Sequence, residues 1–140
     1  MNQARVVVAE EIVGEIGLGL CVLLGVARGD EPEDAERLAG RVARLRVFEN
    51  VDGKFDYNLA DIGGAALIVS QFTLIADSKR QTGTRPDFSQ AAPREEAEPL
   101  YEAFCAGLAA LGVPVERGVF GARMRVDLAN NGPVTIVLET

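Results

Sequence analysis

The chain has 140 residues, 48% of them hydrophobic and 25% charged, with a net charge of −7. This length and balance fit one globular domain with a sizeable core and exclude a disordered chain. The excess of acid argues against a protein that coats nucleic acid through charge, and so against DNA as a partner, while leaving room for a local basic patch that grips an RNA end.

The histidine count is zero and the cysteine count is two. Ser-His-Asp and Cys-His nucleophilic systems are thereby removed. Two cysteines without histidine also leave too few ligands for an ordinary zinc hydrolase, so no metal is expected. Cys21 and Cys105 read as core residues, not as a disulfide framework. No apolar run approaches the ~20 residues that span a bilayer, and the N-terminus lacks a signal-peptide pattern. The expected location is cytoplasmic, away from membranes.

Taken in chain order, Arg5–Val8 and Ile12–Ile16 predict a hairpin around Ala9-Glu10-Glu11. The run LGLCVLLGVARG predicts a strand buried on both faces. Asp30, with Glu33 three residues on, predicts a capped helix whose apolar stripe is Ala35, Leu38, Val42 and Leu45. Asp52-Gly53 marks a turn before a short strand at Phe55–Tyr57, and Leu67-Ile68-Val69 predicts a central strand. Residues 77–88 are polar and carry Gly and Pro, as a loop would. Pro93 opens a second helix through Ala97, Leu100, Phe104 and Leu108, stopped by Gly112. Met124, Val126 and Leu128 alternate with charged residues as in a half-buried strand, and Val134–Leu138 reads as another after an Asn-Asn-Gly-Pro turn. The fold expected is α/β: a single domain, residues 1–140, with a mixed, twisted, barrel-like sheet and two main helices packed outside.

Three stretches have the makings of a site. Ser70, Gln71, Phe72 and Thr73 follow an apolar strand abruptly, where a sheet protein often holds a ligand or simply satisfies the strand's last backbone groups. Lys79, Arg80 and Arg85 beside Phe88 suit phosphate contacts and base stacking, or else form a solvated loop. Arg37, Arg41, Arg44 and Arg46 extend such a patch or make an ordinary wet helix face. At Gly132-Pro133 a residue of permissive φ meets one of fixed φ, in a corner that the local sequence leaves either structural or functional.

Together, VGEIGLGLCVLLGV, SQFTLIAD, TRPDFSQAA and NNGPVTIVLE, with Leu100-Tyr101-Glu102-Ala103-Phe104 between the last two, resemble the D-aminoacyl-tRNA deacylase family in order and spacing over essentially the whole chain. The resemblance implies a homodimer that hydrolyses the ester joining a D-amino acid, or glycine, to the 3′-terminal adenosine of tRNA, without a cofactor. It implies that Gly132 and Pro133, flanked by Asn130, Val134 and Thr135, form a cis corner lent to the partner's pocket, where it excludes L side chains. It further implies that Ser70, Gln71, Phe72 and Thr73 line that pocket and hold the adenosine and ester. An aminoacyl ester is labile, so main-chain N–H donors near Phe72 and Thr73, with the neighbouring ribose hydroxyl, suffice for catalysis without histidine. Thr73 as a covalent nucleophile is the less favoured route, because no base stands out to activate it.

Family members begin with a further strand of about eight residues ending in a Gln-Arg-Val-like stretch; here Met1 stands where that Val would be, and the lack would expose a sheet edge. The expectation is a true start upstream, with an arginine that the family places near the Gly-Pro corner. The rival reading is a non-catalytic dimeric module of the same fold that binds RNA ends or a small ligand.

Overall fold

The computed structural model describes residues 1–140. The elements run β1 (Gln3–Val8), β2 (Glu11–Ile16), β3 (Gly19–Leu24), α1 (Pro32–Arg44), β4 (Phe48–Glu49), β5 (Phe55–Tyr57), β6 (Ala65–Ser70), α2 (Arg94–Ala110), β7 (Val115–Arg117) and β8 (Arg125–Ala129), with a 3₁₀ turn at Phe72–Ile75 after β6. The mixed α/β class with two helices holds. The strands, however, form three sheets and no closed barrel: antiparallel β2-β1-β8, parallel β3-β6-β7 and the short hairpin β4-β5.

β6 is the strand on which the rest is built. Alternation sends Ala66 and Ile68 to one face, against Tyr101, Phe104, Cys105 and Leu108 of α2 and Ala39 and Val42 of α1. Leu67 and Val69 point the other way, onto Ala4, Val6 and Ile16 of the β2-β1-β8 sheet. Burial on both faces is why its sequence is an unbroken apolar run. The molecule is thus layered: two helices, a parallel sheet, an antiparallel sheet.

The stripe Ala97, Leu100, Phe104 and Leu108 is buried as its helical spacing requires. From the same helix Tyr101 O–H donates to the Ile68 carbonyl at 2.8 Å, a carbonyl that also accepts Gly118 N–H at 3.1 Å. Burial pushes the Tyr101 phenol far above its ordinary pKa. Both cysteines are free; Cys105 is buried and Cys21 half-buried.

The β1–β2 hairpin turns on Ala9 and Glu10, with φ of 50° and 68°. Two consecutive left-handed residues give the turn that fits strand twist, although neither residue favours that conformation. The cap of α1 lies one residue later than expected. Glu31 is the N-cap and its N–H donates to Asp34 at 2.9 Å, whereas Asp30 accepts from Ala27 N–H at 2.9 Å. Pro32 at the first helical position fixes that register.

Two further expectations fail for one reason, strand neighbours. β3 is an edge strand, since β6 takes the middle of its sheet, and the antiparallel sheet that covers Val69 of β6 does not extend over its β3 partner Leu23, which is 46% exposed instead of buried. Val134–Leu138 belongs to no strand. After Pro133 the chain leaves β8 and runs to α1, where Leu138 packs on the helix-side core and Arg41 donates to the Glu139 carbonyl at 2.6 Å. Val, Thr and Ile favour a pleated surface, but a strand exists only where another backbone pairs with it.

Candidate functional site

The end of β6 converts a buried strand into an exposed turn. Ser70, half-buried, pairs with Leu24 at the end of β3. Gln71 N–H donates to the Leu24 carbonyl at 2.8 Å, which fixes where the strand stops. The turn's own bonds begin with Leu74 N–H to Gln71 O at 3.2 Å and include Ala76 N–H to Thr73 O at 3.3 Å. Phe72 and Thr73 lie ahead of those donors, so their N–H groups are not consumed by the turn. Gln71 Nε2 donates to Thr73 Oγ1, so the threonine hydroxyl is oriented by an amide, which cannot act as a base.

The turn needs room beside it, and Gly25 supplies it. A Cβ there would lie 3.1 Å from Leu74 Cβ and 3.2 Å from the Gln71 carbonyl. Phe72 is 56% exposed, and its ring meets Phe88 edge-on, with centroids 5.1 Å apart and an interplanar angle of 73°. Phe88 thus stands beside Phe72, at the exit of the basic loop. Lys79, Arg80 and Arg85 are exposed on that loop, and Arg80 pairs with Asp77 at 3.5 Å. The Asp87 carboxyl is held below its usual pKa range by hydrogen bonds from the Ser89 hydroxyl and N–H.

The arginines on and just after α1 have partners within the chain. Arg37 pairs with Asp34 at 3.1 Å, Arg46 with Asp56 at 3.4 Å, and Arg41 holds the C-terminal segment. Arg44 folds back over Gly40. They read as a surface held by partners in the same chain.

The C-terminal corner is built differently. The Gly132-Pro133 peptide is cis, both residues are exposed, and Gly132 has φ of 124°. The amide of Asn130 braces the corner: its Nδ2 donates to the Val134 carbonyl at 3.2 Å, and its Oδ1 accepts Val134 N–H at 3.4 Å. Nδ2 also lies 3.4 Å from Thr135 Oγ1. Asn130 thus acts on the corner itself. The structure brings Ser70–Thr73 and Phe88 together; it holds Asn130–Thr135 as a second, separately braced unit. Sequence reasoning missed Gly25, Asp87 and Ser89. The Asp-x-Ser spacing was the available signal for a side-chain-locked turn.

The sequence and its α/β fold have known counterparts. The family model described as D-Tyr-tRNA(Tyr) deacylase matches residues 1–139. Proteins named D-aminoacyl-tRNA deacylase from Chloroflexus aurantiacus and Roseiflexus sp. are each 53% identical over 140 residues, all of this chain and 86% and 89% of theirs. Among solved structures, a c-Myc DNA unwinding element binding protein matches with a TM-score of 0.91 and 39% identity, covering 99% of this chain and 93% of its own. A probable eukaryotic D-amino acid tRNA deacylase shares the fold at a TM-score of 0.77 and 19% identity, over 94% of this chain and 90% of that one. The chain belongs to the D-Tyr-tRNA(Tyr) deacylase family.

Proposed function

We propose that this protein hydrolyses the ester of D-aminoacyl-tRNA, and of glycyl-tRNA, releasing the amino acid and a tRNA with a free 3′-terminal ribose hydroxyl. Water adds to the ester carbonyl, the bond to the ribose oxygen breaks, and the proton returns to that oxygen. The observation that carries this reading is the turn at Phe72–Thr73, anchored through Gln71 to the end of a buried strand, with two N–H groups ahead of its internal bonds. Such donors, fixed before the reaction, stabilise the developing oxyanion; removing one in another hydrolase has cost on the order of 10²–10³ in rate. The substrate's ribose hydroxyl positions the water, and neither a cofactor nor a metal takes part.

Chiral selection falls to Gly132 and Pro133, lent by each subunit of a cytoplasmic homodimer to the Ser70–Thr73 pocket of the other. An L side chain meets the corner's carbonyls and is excluded, while D side chains point away. This is discrimination by a clash, so many D-amino acids are accepted. Lys79, Arg80 and Arg85 contact phosphates near the 3′ end. Thr73 orients the site through Gln71 and is not the nucleophile.

The decisive experiment incubates the protein with a D-aminoacyl-tRNA and its L counterpart and follows the release of free amino acid. Release from the D form alone is expected; release from neither leaves a binding module of the same fold. Thr73→Ala should retain turnover. Its complete loss, with fold and tRNA binding intact, would make Thr73 the nucleophile.

A further inference from the structure

Two residues outside the usual reactive types control where the Phe72–Ile75 turn sits. Gly25 follows β3 directly, next to the Leu24 carbonyl that accepts Gln71 N–H. Its φ lies outside the left-handed region, so an alanine is conformationally allowed there and only space opposes it. A Cβ would meet Ile75 Cδ1 at 3.1 Å, Leu74 Cβ at 3.1 Å and Gln71 O at 3.2 Å. The first of these is a flexible chain end. The other two move only if the backbone of the turn moves, so an added methyl displaces the turn by a few tenths of an ångström to restore ordinary contact.

Phe88 restrains the same turn from the side, through its edge contact with the exposed Phe72 ring. Its own position is fixed by a closed set of bonds. Asp87 O accepts Asp77 N–H at 2.8 Å, and Phe88 O accepts Ala91 N–H at 3.0 Å. Ser89 is tied to the Asp87 carboxylate through its N–H at 2.9 Å and its hydroxyl at 2.5 Å. Arg28 closes the set: its Nε donates to Ser89 O and its N–H to Gln90 O, both at 2.8 Å. The stretch Gly25–Arg28 therefore carries both restraints, the contact against the turn and the anchor of the Phe88 loop.

We propose that Gly25 and Phe88 are positioning residues for the reaction, setting the place and angle of the Phe72 and Thr73 donors rather than binding tRNA. The proposal rests on the deacylase reading above. It is tested by measuring kcat and KM on two substrates, a D-aminoacyl-tRNA and the corresponding D-aminoacyl-adenosine ester, which lacks the tRNA body.

The wild-type protein must first release D-amino acid from both; release from neither overturns the deacylase reading itself. Given that activity, Phe88→Ala should lower kcat about tenfold on both substrates with KM changed less than about threefold, since a misplacement of 1 Å costs roughly 10² in rate. Phe88→Tyr, which keeps the ring edge, should restore kcat. Gly25→Ala should lower kcat in the same way, with its melting temperature recorded alongside. A Phe88→Ala defect on the tRNA substrate that disappears on the adenosine ester would make Phe88 a tRNA contact and overturn the proposal. Loss that follows only the folded fraction would overturn it equally. If Gly25→Ala does not fold, the Phe88 pair and the two substrates still decide.

Discussion

The end of β6 and the corner after β8 carry the two halves of the proposed chemistry, yet they are held by opposite means. Ser70–Ile75 continues a strand whose residues Ala66 to Val69 are at most 1% exposed, and it is pressed against Gly25 and Phe88. Asn130–Leu138 is exposed along most of its length, is braced by one asparagine amide, and is tied down at its far end by Arg41. The first region takes its geometry from the protein's own core; the second takes its geometry from a few local bonds and offers an open surface. A group that must stabilise developing charge to within tenths of an ångström belongs on the first kind of support. A group that must meet another body belongs on the second.

That contrast can be broken most forcefully at the core. Ile68→Ala removes a fully buried side chain from the strand that leads into the turn and should cost roughly 2–5 kcal/mol, out of a total of about 5–15 kcal/mol for a typical domain. Val137→Ala, at a residue 81% exposed, should stay within about 0.5 kcal/mol. Urea titrations of the two variants measure the contrast directly, and equal losses would refute it.

Gly132→Ala puts a side chain at φ of 124° with its Cβ 2.9 Å from Val134 Cγ2. The corner must shift, and release of D-amino acid from tRNA should fall by about 10²-fold for a displacement near 1 Å, while melting changes little. Asn130→Ala removes the amide bonds that brace the same corner, each worth about 1 kcal/mol. Activity should fall more than stability does, the reverse of Ile68→Ala.

Tyr101→Phe tests the anchor between α2 and β6. The Ile68 carbonyl keeps its bond from Gly118, so the loss should be about 1 kcal/mol. The variant also carries a pH signature. The folded-state pKa of Tyr101 is raised by burial. The unfolded chain therefore releases this proton near pH ~10 while the folded chain still holds it. Stability from this group is complete below that pH and is lost as pH rises toward the folded value. Melting temperatures at pH 8 and pH 11 should show a smaller alkaline decline for Tyr101→Phe than for the wild type. A change far from both regions should leave activity untouched. Ala9→Asn with Glu10→Gly suits the two left-handed positions and should stabilise by about 0.4–1 kcal/mol without altering deacylation.

Much of this was legible residue by residue. The run Leu67-Ile68-Val69 announced a central strand because burial on both faces leaves no place for polar residues. The α2 stripe was legible because 3.6-residue spacing selects one face. The polar tetrad after β6 stood out because its apolar neighbours stop so sharply. Three features were not legible. The α1 cap slid by one residue because Pro32 and Asp34 outcompete Asp30. Phe88 looked like part of a basic loop, because nothing local shows that it returns to Phe72. Val134–Leu138 looked like a strand, because its composition favours one and pairing is not a property of composition.

Sequence alone determined the central strand and the buried stripe of α2, where helices start and stop to within a residue or so, and which chemistry a chain without histidine is barred from using. These follow from hydrophobic periodicity and side-chain type, which act over a few residues. Only the tertiary structure decided which strand lies in the middle of a sheet, that Gly25 and Phe88 close on the Phe72 turn, and that the last segment lies on α1 instead of in a sheet. Those outcomes depend on which backbones meet across long stretches of chain, and short-range preferences cannot specify such meetings.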